Sequence, residues 1–316
     1  MSTQRLERRV VLAAVLAFLA AFLWATYYFF VLGAPKAAPS GLLVDPFLAG
    51  GAGFLLLAWF RREGGVVPRL FGDPRAYLRA GLLAGMQVAV LASTYLTGAV
   101  DTSLLSLLGD VVLTPIMLAL LYREGGERFR SPLFLLGLVA STLGATLVIA
   151  GGTAVQVLSG WAWVAAPAVP VAVALYFLYT ARANRTIPMA ALVGQGTMLA
   201  GLLGIALSPL LPGGLAGLLP PSPGDAFLVV VLGLTSFFAG PYLYFRAIEM
   251  VGIVLPAVLM TGIPVFTLVL DVAIYRSIPP WLALSGIPIA VGGSLLALRG
   301  PHAAWASEPA RAAGSK

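Results

Sequence analysis

Long apolar stretches separated by short polar segments dominate the sequence. A helix that crosses the hydrocarbon core of a bilayer needs about 20 mostly apolar residues. Ten stretches reach that length, at residues 10–32, 42–60, 77–99, 103–122, 132–151, 161–181, 187–209, 226–247, 252–275 and 280–299. None shows the alternation of apolar and polar positions that is typical of an outer-membrane barrel. The pattern predicts an all-α integral membrane protein with ten transmembrane helices.

The composition supports a membrane environment. Of the 316 residues, 60% are hydrophobic and only 10% are charged, whereas a soluble domain carries about 25% charged residues. Because the chain lacks the charged surface that water requires, we expect lipid to surround it. The first apolar stretch follows Arg5, Arg8 and Arg9 but is longer than the apolar region of a signal peptide. We interpret it as a retained helix.

The basic residues predict how the helices are oriented. With the N-terminus in the cytoplasm and alternating helices, all 19 Lys and Arg residues except Lys36 and Arg276 fall in cytoplasmic segments. Cytoplasmic loops of membrane proteins are rich in these residues. We therefore expect a multi-pass protein of the cell membrane with both tails, 1–9 and 300–316, in the cytoplasm and the second tail disordered. The net charge of +7 then needs no nucleic acid as a partner.

The sequence contains an internal repeat with an offset of 149 residues. The equivalent pairs are Pro115 and Pro264, Gly137 and Gly286, Ser141 and Ala290, Gly144 and Gly293, and Ala145 and Ser294. Each half, 10–151 and 160–299, holds five predicted spans. An odd number of spans forces opposite orientations, so the repeats are inverted (5+5). Inverted repeats are the usual construction of secondary transporters, with the substrate near mid-membrane between them.

These features together resemble the drug/metabolite transporter superfamily, and most closely its EamA-type family. The resemblance rests on the two five-span halves, the mid-helix prolines, Ala99-Val100-Asp101, Gly126-Glu127-Arg128 and a glycine-rich fifth span in each half. Two positions depart from the family pattern. Tyr275-Arg276-Ser277-Ile278 stands where a Gly-Glu-Arg-like turn is frequent, and 47–53 lacks an arginine common in the second span. The resemblance implies secondary active export or exchange of small organic molecules, such as amino acids, metabolites or toxic compounds.

Asp110 is the strongest candidate for a coupling residue. It lies near the middle of the fourth span, one turn before Pro115. A carboxylate in the membrane interior is costly and usually faces a cavity or a partner. Burial would move its titration toward neutral pH, so that it could pick up and release a proton. The alternative is a structural aspartate bonded to a neighbouring hydroxyl or amide. Its repeat equivalent is Leu259, so a coupling site would be asymmetric.

Amide and aromatic side chains in the spans are candidates for binding a solute. Gln87 and Gln195 could bind a carboxylate or amine, or could instead connect two helices. The aromatic candidates are Trp24, Tyr95, Tyr176 and Tyr242. Aromatic walls with a few polar groups are typical of ligand pockets, but aromatic residues also form belts at the membrane interface. Tyr27, Tyr28 and Tyr244 are closer to the span ends, which favours such a belt.

Prolines and small residues predict where helices bend and where they pack. Pro115, Pro241 and Pro264 interrupt helical hydrogen bonding in mid-span and are candidates for hinges, although a static bend explains them equally well. Small residues recur every fourth position in the fifth span of each half, at Gly137, Ser141 and Ala145 and at Gly286, Ala290 and Ser294. Such stripes allow close approach of helices and predict packing rather than solute binding.

Other functions have less support in the sequence. The chain has no His-Glu-x-x-His, Gly-x-Ser-x-Gly or aspartate-rich metal motif, so an intramembrane enzyme is disfavoured and no catalytic residue is expected. It has no cysteine, and its one histidine, His302, lies in the tail, so neither a metal site nor a cofactor is expected. Flipping of a lipid or lipid-linked precursor is the closest rival. The expected partners are a small solute, the bilayer and possible coupling protons, in a monomer or homodimer.

Overall fold

The computed structural model describes residues 3–33, 38–63, 65–97, 99–122, 129–151, 162–184, 186–276 and 280–298, and every regular element in them is helical. The α-helices of the first half are α1 (Thr3–Gly33), α2 (Pro39–Phe60), α3 (Val67–Phe71), α4 (Pro74–Thr97), α5 (Ala99–Leu107), α6 (Thr114–Tyr122) and α7 (Pro132–Gly151). Those of the second half are α8 (Ala162–Ala183), α9 (Met189–Leu207), α10 (Pro223–Leu232), α11 (Gly240–Val251), α12 (Val254–Leu259), α13 (Gly262–Tyr275) and α14 (Trp281–Leu298). A π-helix joins α5 to α6 (Leu108–Leu113), and another joins α10 to α11 (Gly233–Ala239).

Six helical segments among the described residues are long and apolar enough to cross a membrane. They are Arg8–Val31, Pro39–Phe60, Pro74–Leu96, Met189–Leu210, Pro223–Val251 and Leu255–Ile274, and three shorter apolar helices are Pro132–Gly144, Pro167–Ala183 and Leu284–Gly293. The fourth predicted span, 103–122, falls in neither group, because it is divided among α5, the first π-helix and α6. An all-α, multi-pass membrane protein is therefore confirmed, and the number of ten spans stays a prediction.

The outer surface of the helices is apolar, as lipid requires. Leu136 and Leu143 on α7, Leu295 on α14 and Trp59 on α2 all expose about half of their surface or more. Large apolar surfaces of this kind are unstable in water and mark contact with a membrane or partner. One boundary differs from the predicted tail: α1 begins at Thr3 rather than near residue 10. Its first residues contain neither glycine nor proline, and Gln, Arg, Leu and Glu all favour helix.

Each mid-span proline follows an irregular turn, for a simple reason of hydrogen bonding. At the end of each π-helix an amide donates to the carbonyl five residues earlier, from Thr114 to Gly109 and from Gly240 to Thr235. The next donor in each ladder would be Pro115 or Pro241, and proline has no N–H. The predicted interruption is thus present as a π-helical turn in both helices.

The third proline interrupts its helix differently. Pro264 cannot donate to the carbonyl of Met260, and the amide of Ile263 donates to it instead, at 2.8 Å. This tighter turn separates α12 from α13. Adding the repeat offset of 149 to the first π-helix gives residues 257–262, so the two halves are interrupted at equivalent places.

The helices pack in a pattern that is preserved when the two halves are exchanged. By the sequence repeat, α1 is equivalent to α8, α2 to α9, α4 to α10 with α11, and α7 to α14. In the structure α2 packs on α9 and α7 packs on α14, each on its own equivalent. The α4–α8 contact is matched by the α1–α11 contact, which is the same pair with the halves exchanged. Such reciprocity is the mark of a two-fold relation.

The α7–α14 contact shows the same reciprocity at atomic detail. The Ser141 hydroxyl donates to the carbonyl of Ala290, its own repeat equivalent, at 3.2 Å. A Cβ at Gly144 would lie 2.6 Å from the carbonyl oxygen of Gly286, and a Cβ at Gly293 would lie 2.8 Å from that of Gly137. The glycine-rich stripes therefore bring two helix backbones together.

Candidate functional site

A cavity lies between the two halves of the protein. It encloses about 680 Å³, including the space at its open mouth. Its water-accessible part is small, so side chains must move before a metabolite-sized solute can enter. The described residues that line it are Trp24, Tyr27, Tyr28, Leu83, Met86, Gln87, Val90, Ser106, Val173, Tyr176, Phe177, Thr197, Ser236, Phe237, Pro241 and Ile263. We call this space the aromatic cavity.

Trp24 connects α1 to the irregular part of the second half. Its indole Nε1–H donates to the carbonyl of Ser236 at 2.9 Å. This carbonyl is the acceptor that a donor at position 241 would use to continue the π-helix, and Pro241 has no N–H. The indole therefore satisfies a carbonyl that the proline leaves without its helical donor. The Trp24 ring also packs on Phe177 and Tyr244, with centroid distances of 5.5 and 5.2 Å.

Two tyrosines of α1 make hydrogen bonds to α4 and α5, two other helices of the first half. Gln87 Nε2 donates to the Tyr27 hydroxyl, and the Tyr28 hydroxyl and the Ser106 hydroxyl lie 3.3 Å apart in a hydrogen bond. The two tyrosine rings pack edge to face at 5.5 Å. Both residues are buried, although their positions in the sequence favour an interfacial belt. Burial of the phenol groups is compatible with membrane insertion because each has a polar partner.

The lining of the aromatic cavity combines aromatic faces with uncharged polar groups. None of its described lining residues is Asp, Glu, Lys or Arg. Hydroxyls, one amide and the indole supply the polarity, and apolar side chains form the remainder of the wall. This balance is typical of sites for small organic molecules, in which a few polar groups orient the ligand. Electron-rich aromatic faces also attract organic cations.

The predicted site residues fall into two groups in the structure. Trp24, Gln87, Tyr176 and Pro241 line the aromatic cavity. The other three described candidates for solute binding lie outside its lining. Gln195 is fully buried in α9, and Tyr95 on α4 is 49% exposed. Tyr242 accepts a hydrogen bond from Arg61 at 2.8 Å, and the guanidinium stacks 5.5 Å from its ring centroid.

For two candidates only the position in a helix is described. Asp110 is in the first π-helix and Pro115 is at the start of α6, but their side chains lie outside the described part of the structure. Ser106, which lines the aromatic cavity, precedes Asp110 by four residues. Pro264 is buried, directly after the lining residue Ile263.

Several lining residues are absent from the sequence-based candidates. They include Ser106, Thr197, Ser236 and Phe177. The lining residues of α4 are Leu83, Met86, Gln87 and Val90. Met86 and Gln87 each lie three or four residues from the other two, so all four share one face of the helix. This face could have been identified from Gln87 alone. Serine and threonine are common in membrane helices because they bond back to their own backbone, and they carry little signal. No group of three possible metal ligands (His, Cys, Asp or Glu) occurs among the described residues.

Fold and cavity together define an α-helical, multi-pass membrane protein with a narrow, aromatic-lined cavity between two sets of helices. Residues 160–299 match the family described as the EamA-like transporter family. The match agrees with the resemblance seen in the sequence, and similarity to this family over the second half of the chain indicates a membrane transporter of the drug/metabolite type. Members of this family are transporters rather than enzymes.

The fold is also found in solved structures. One of 21 matching chains, described as "Crystal structure of protein", has a TM-score of 0.70 at 20% sequence identity. The match covers 90% of this chain and 96% of that chain. At this identity the likeness concerns the fold alone. A comparison with curated protein sequences gives no match.

Proposed function

We propose that the protein is a secondary active exporter of small organic solutes that binds its solute in the aromatic cavity. One observation carries the proposal: the cavity lies between two halves whose helix contacts are reciprocal. A site at the boundary of two equivalent halves can be opened to either side when the halves exchange conformations. This is the alternating-access mechanism.

The reciprocal contacts support ten spans arranged as two inverted five-span repeats, 10–151 and 160–299. The pairs α2 with α9 and α7 with α14 are each formed by equivalent helices, and the α4–α8 and α1–α11 contacts are one pair with the halves exchanged. The arginine distribution supports an orientation with both tails in the cytoplasm. We propose that the solute is taken from the cytoplasm and released outside.

The irregular turns before the prolines supply places where helices can bend. The second π-helix lines the aromatic cavity through Ser236, while Ser106 lines it two residues before the first π-helix and Ile263 just after the α12–α13 break. Helices bend sharply at π-turns and prolines because the hydrogen-bond ladder is already open there. We propose that Pro115, Pro241 and Pro264 act as hinges that widen the narrow cavity when solute enters.

The lining favours an uncharged aromatic or apolar solute with one or two polar groups, or an organic cation. Ring faces of Trp24, Tyr176 and Phe177 can stack on such a solute or hold its positive charge. The Gln87 amide and the Tyr28 and Ser106 hydroxyls are placed to orient its polar group. Asp110, four residues beyond Ser106, is the proposed site of proton coupling.

Transport in liposomes tests this proposal. The purified protein is reconstituted in vesicles loaded with a mixture of aromatic amino acids, amines and neutral metabolites, and mass spectrometry follows which solutes cross under a pH gradient. We expect a small set of aromatic or cationic solutes to move. If none crosses while a fluorescent lipid is scrambled, lipid flipping replaces solute export as the function.

Tyr27→Phe is expected to lower uptake of the transported solute about tenfold at low solute concentration. The change removes only the hydroxyl that binds Gln87, and loss of a buried hydrogen bond leaves its partner unsatisfied at a cost of about 1–3 kcal/mol. Tyr95→Phe is the matched control because Tyr95 is half exposed and should retain wild-type uptake. Equal losses in both variants would contradict a site in the aromatic cavity.

Asp110→Asn is expected to abolish stimulation by the pH gradient while exchange of solute without a gradient continues. Asparagine has nearly the shape of aspartic acid but cannot release a proton. Initial rates are measured with and without the gradient, and Asp271→Asn, at the far end of α13, serves as a control that also removes a carboxylate. If the Asp110 variant responds to the gradient as wild type does, the proton is carried elsewhere.

A further inference from the structure

A second cavity lies where α4 begins and α8 ends, at one end of the helix bundle. It encloses about 920 Å³, including open space, and its described lining consists of Asp73, Arg75, Arg79, Tyr179, Arg182, Ala183, Thr186 and Ile187. Three guanidinium groups and a single carboxylate thus face one space, in contrast to the uncharged aromatic cavity. We call it the arginine pocket.

Arg79 is the unusual member of the arginine pocket. It is only 3% exposed, and its Nε and Nη2 atoms have no hydrogen-bond partner among the described residues. Its ion-pair partner is distant: Asp73 Oδ2 lies 3.9 Å from Nη2, beyond hydrogen-bond length. A buried cation with so little compensation is destabilising, because desolvation of the charge is not repaid by hydrogen bonds.

The other charged groups add to the positive potential. Arg75 and Arg182 are exposed at the rim, and the Asp73 carboxylate also accepts a hydrogen bond from the backbone amide of Arg75. The Tyr179 hydroxyl is a further possible donor. Asp73 is the one carboxylate in the described lining and lies 3.9 Å from the buried Arg79, so the space favours an anion.

The arginine pocket and the aromatic cavity share two helices. On α4, Arg79 precedes Leu83 by one helical turn and Gln87 by two, which corresponds to about 12 Å along the helix axis at 1.5 Å per residue. On α8, Tyr176 lines the aromatic cavity and Tyr179 lines the arginine pocket. Arg79 and Tyr176 are also close enough to interact electrostatically. The pocket therefore lies on the axial continuation of the cavity.

We propose that the arginine pocket binds an oxyanion, a phosphate or carboxylate group, with Arg79 as its central ligand. A guanidinium group offers a planar pair of donors that matches the two oxygens of such a group, and Nε and Nη2 form one of these pairs. The anion can come from a soluble cytoplasmic compound or from the headgroup of an anionic lipid. Both sources present the same oxygens, and only experiment separates them.

Thermal unfolding of the full-length protein in neutral detergent tests the site without any transport assay. Inorganic phosphate is added in increasing concentration, and chloride at the same ionic strength is the reference anion. We expect phosphate to raise the Tm of the wild type, and Arg79→Gln to weaken the apparent affinity at least tenfold. Arg79→Gln should also unfold at a higher temperature than the wild type without phosphate, because it removes a buried charge.

Arg69→Gln is the matched control. Arg69 is an exposed arginine on the neighbouring helix α3 and does not line the arginine pocket, so this variant should respond to phosphate as the wild type does. Arg75→Gln, at the rim, should weaken the affinity for phosphate two- to fivefold. Because this variant keeps the buried Arg79, it tests the site even if the Arg79 variant does not fold. Equal phosphate responses in all variants, or a wild-type response no larger than that to chloride, would overturn the site.

The two sources of the anion are separated in nanodiscs. The same titration is made in phosphatidylcholine alone and with added phosphatidylglycerol. If the lipid occupies the pocket, phosphatidylglycerol raises the Tm of the wild type but not of Arg79→Gln, and added phosphate has no further effect. If a soluble anion is the ligand, the phosphate response persists in both lipids. Because the readout is binding, failure of the proposed export function would leave this result unchanged.

Discussion

Replacement of Gly293 by alanine is expected to lower the stability of the protein, because the added methyl group has no space at the α7–α14 contact. The new Cβ would lie 2.8 Å from the Gly137 carbonyl oxygen and 2.8 Å from the Ala140 carbonyl carbon. Both are backbone atoms of α7, which cannot turn away as a flexible side chain would. Overpacking of this kind costs about 1–3 kcal/mol, occasionally more. Thermal unfolding in detergent measures the loss.

The adjacent glycine supplies the control for this prediction. A Cβ at Gly292 meets nothing within 4 Å, so Gly292→Ala should leave the Tm unchanged or raise it slightly, since alanine favours helix. Gly144→Ala, the repeat equivalent, should reproduce the loss, because its Cβ would lie 2.6 Å from the Gly286 carbonyl oxygen. If Gly292→Ala and Gly293→Ala had similar Tm values, α7 and α14 would be less tightly packed than described.

Trp24→Phe is expected to have the largest effect on transport. Phenylalanine retains an aromatic ring but removes the N–H that donates to the Ser236 carbonyl. Pro241 offers no replacement donor, so the π-helical turn beside the aromatic cavity is left with an unsatisfied carbonyl, at a cost of about 1–3 kcal/mol. We expect uptake of the transported solute to fall at least tenfold at low concentration.

The measurement compares initial uptake rates in vesicles with those of Trp281→Phe. Trp281 is 82% exposed at the start of α14, so this control removes a tryptophan without touching the aromatic cavity. The Tm of both variants is measured in parallel. Uptake that falls only in proportion to the folded fraction would indicate that Trp24 acts through packing alone, and unchanged uptake would refute its role.

The two predictions concern different parts of one mechanism. The α7–α14 contact is a close contact between two equivalent helices, one from each half. The aromatic cavity, in contrast, is bordered by interrupted helices. A transporter that opens alternately to two sides needs both a region that holds the halves together and a region that changes shape. The glycine stripes serve the first need, and the turns before the prolines are suited to the second.

Part of the candidate site could be identified from sequence because its chemistry is rare inside a membrane. Trp24, Gln87 and Tyr176 stand out in apolar helices, and all three line the aromatic cavity. Tyr95 and Tyr242 are equally conspicuous but lie elsewhere. Each is rotated away from the lining face of its own helix: Tyr242 follows the lining residue Pro241 by one position, or about 100° around the helix.

The class of protein and the internal repeat could be identified before any fold was known. Apolar length dictates helices in lipid, since every backbone polar group must be satisfied within its own segment, and the recurrence of Pro and Gly after 149 residues indicates two related halves. These are properties of composition and spacing, so they need no knowledge of neighbours.

The contacts between side chains depend on tertiary packing. The Trp24 indole and its acceptor Ser236 are 212 residues apart, and no local pattern connects them. Arg79 is one of several arginines that the sequence assigns to a cytoplasmic segment, and only the packing of α4 against α8 places it among buried residues with its guanidinium facing a pocket. Burial and partner choice depend on how each helix is rotated against helices from the other half, and periodicity within one helix does not determine that rotation.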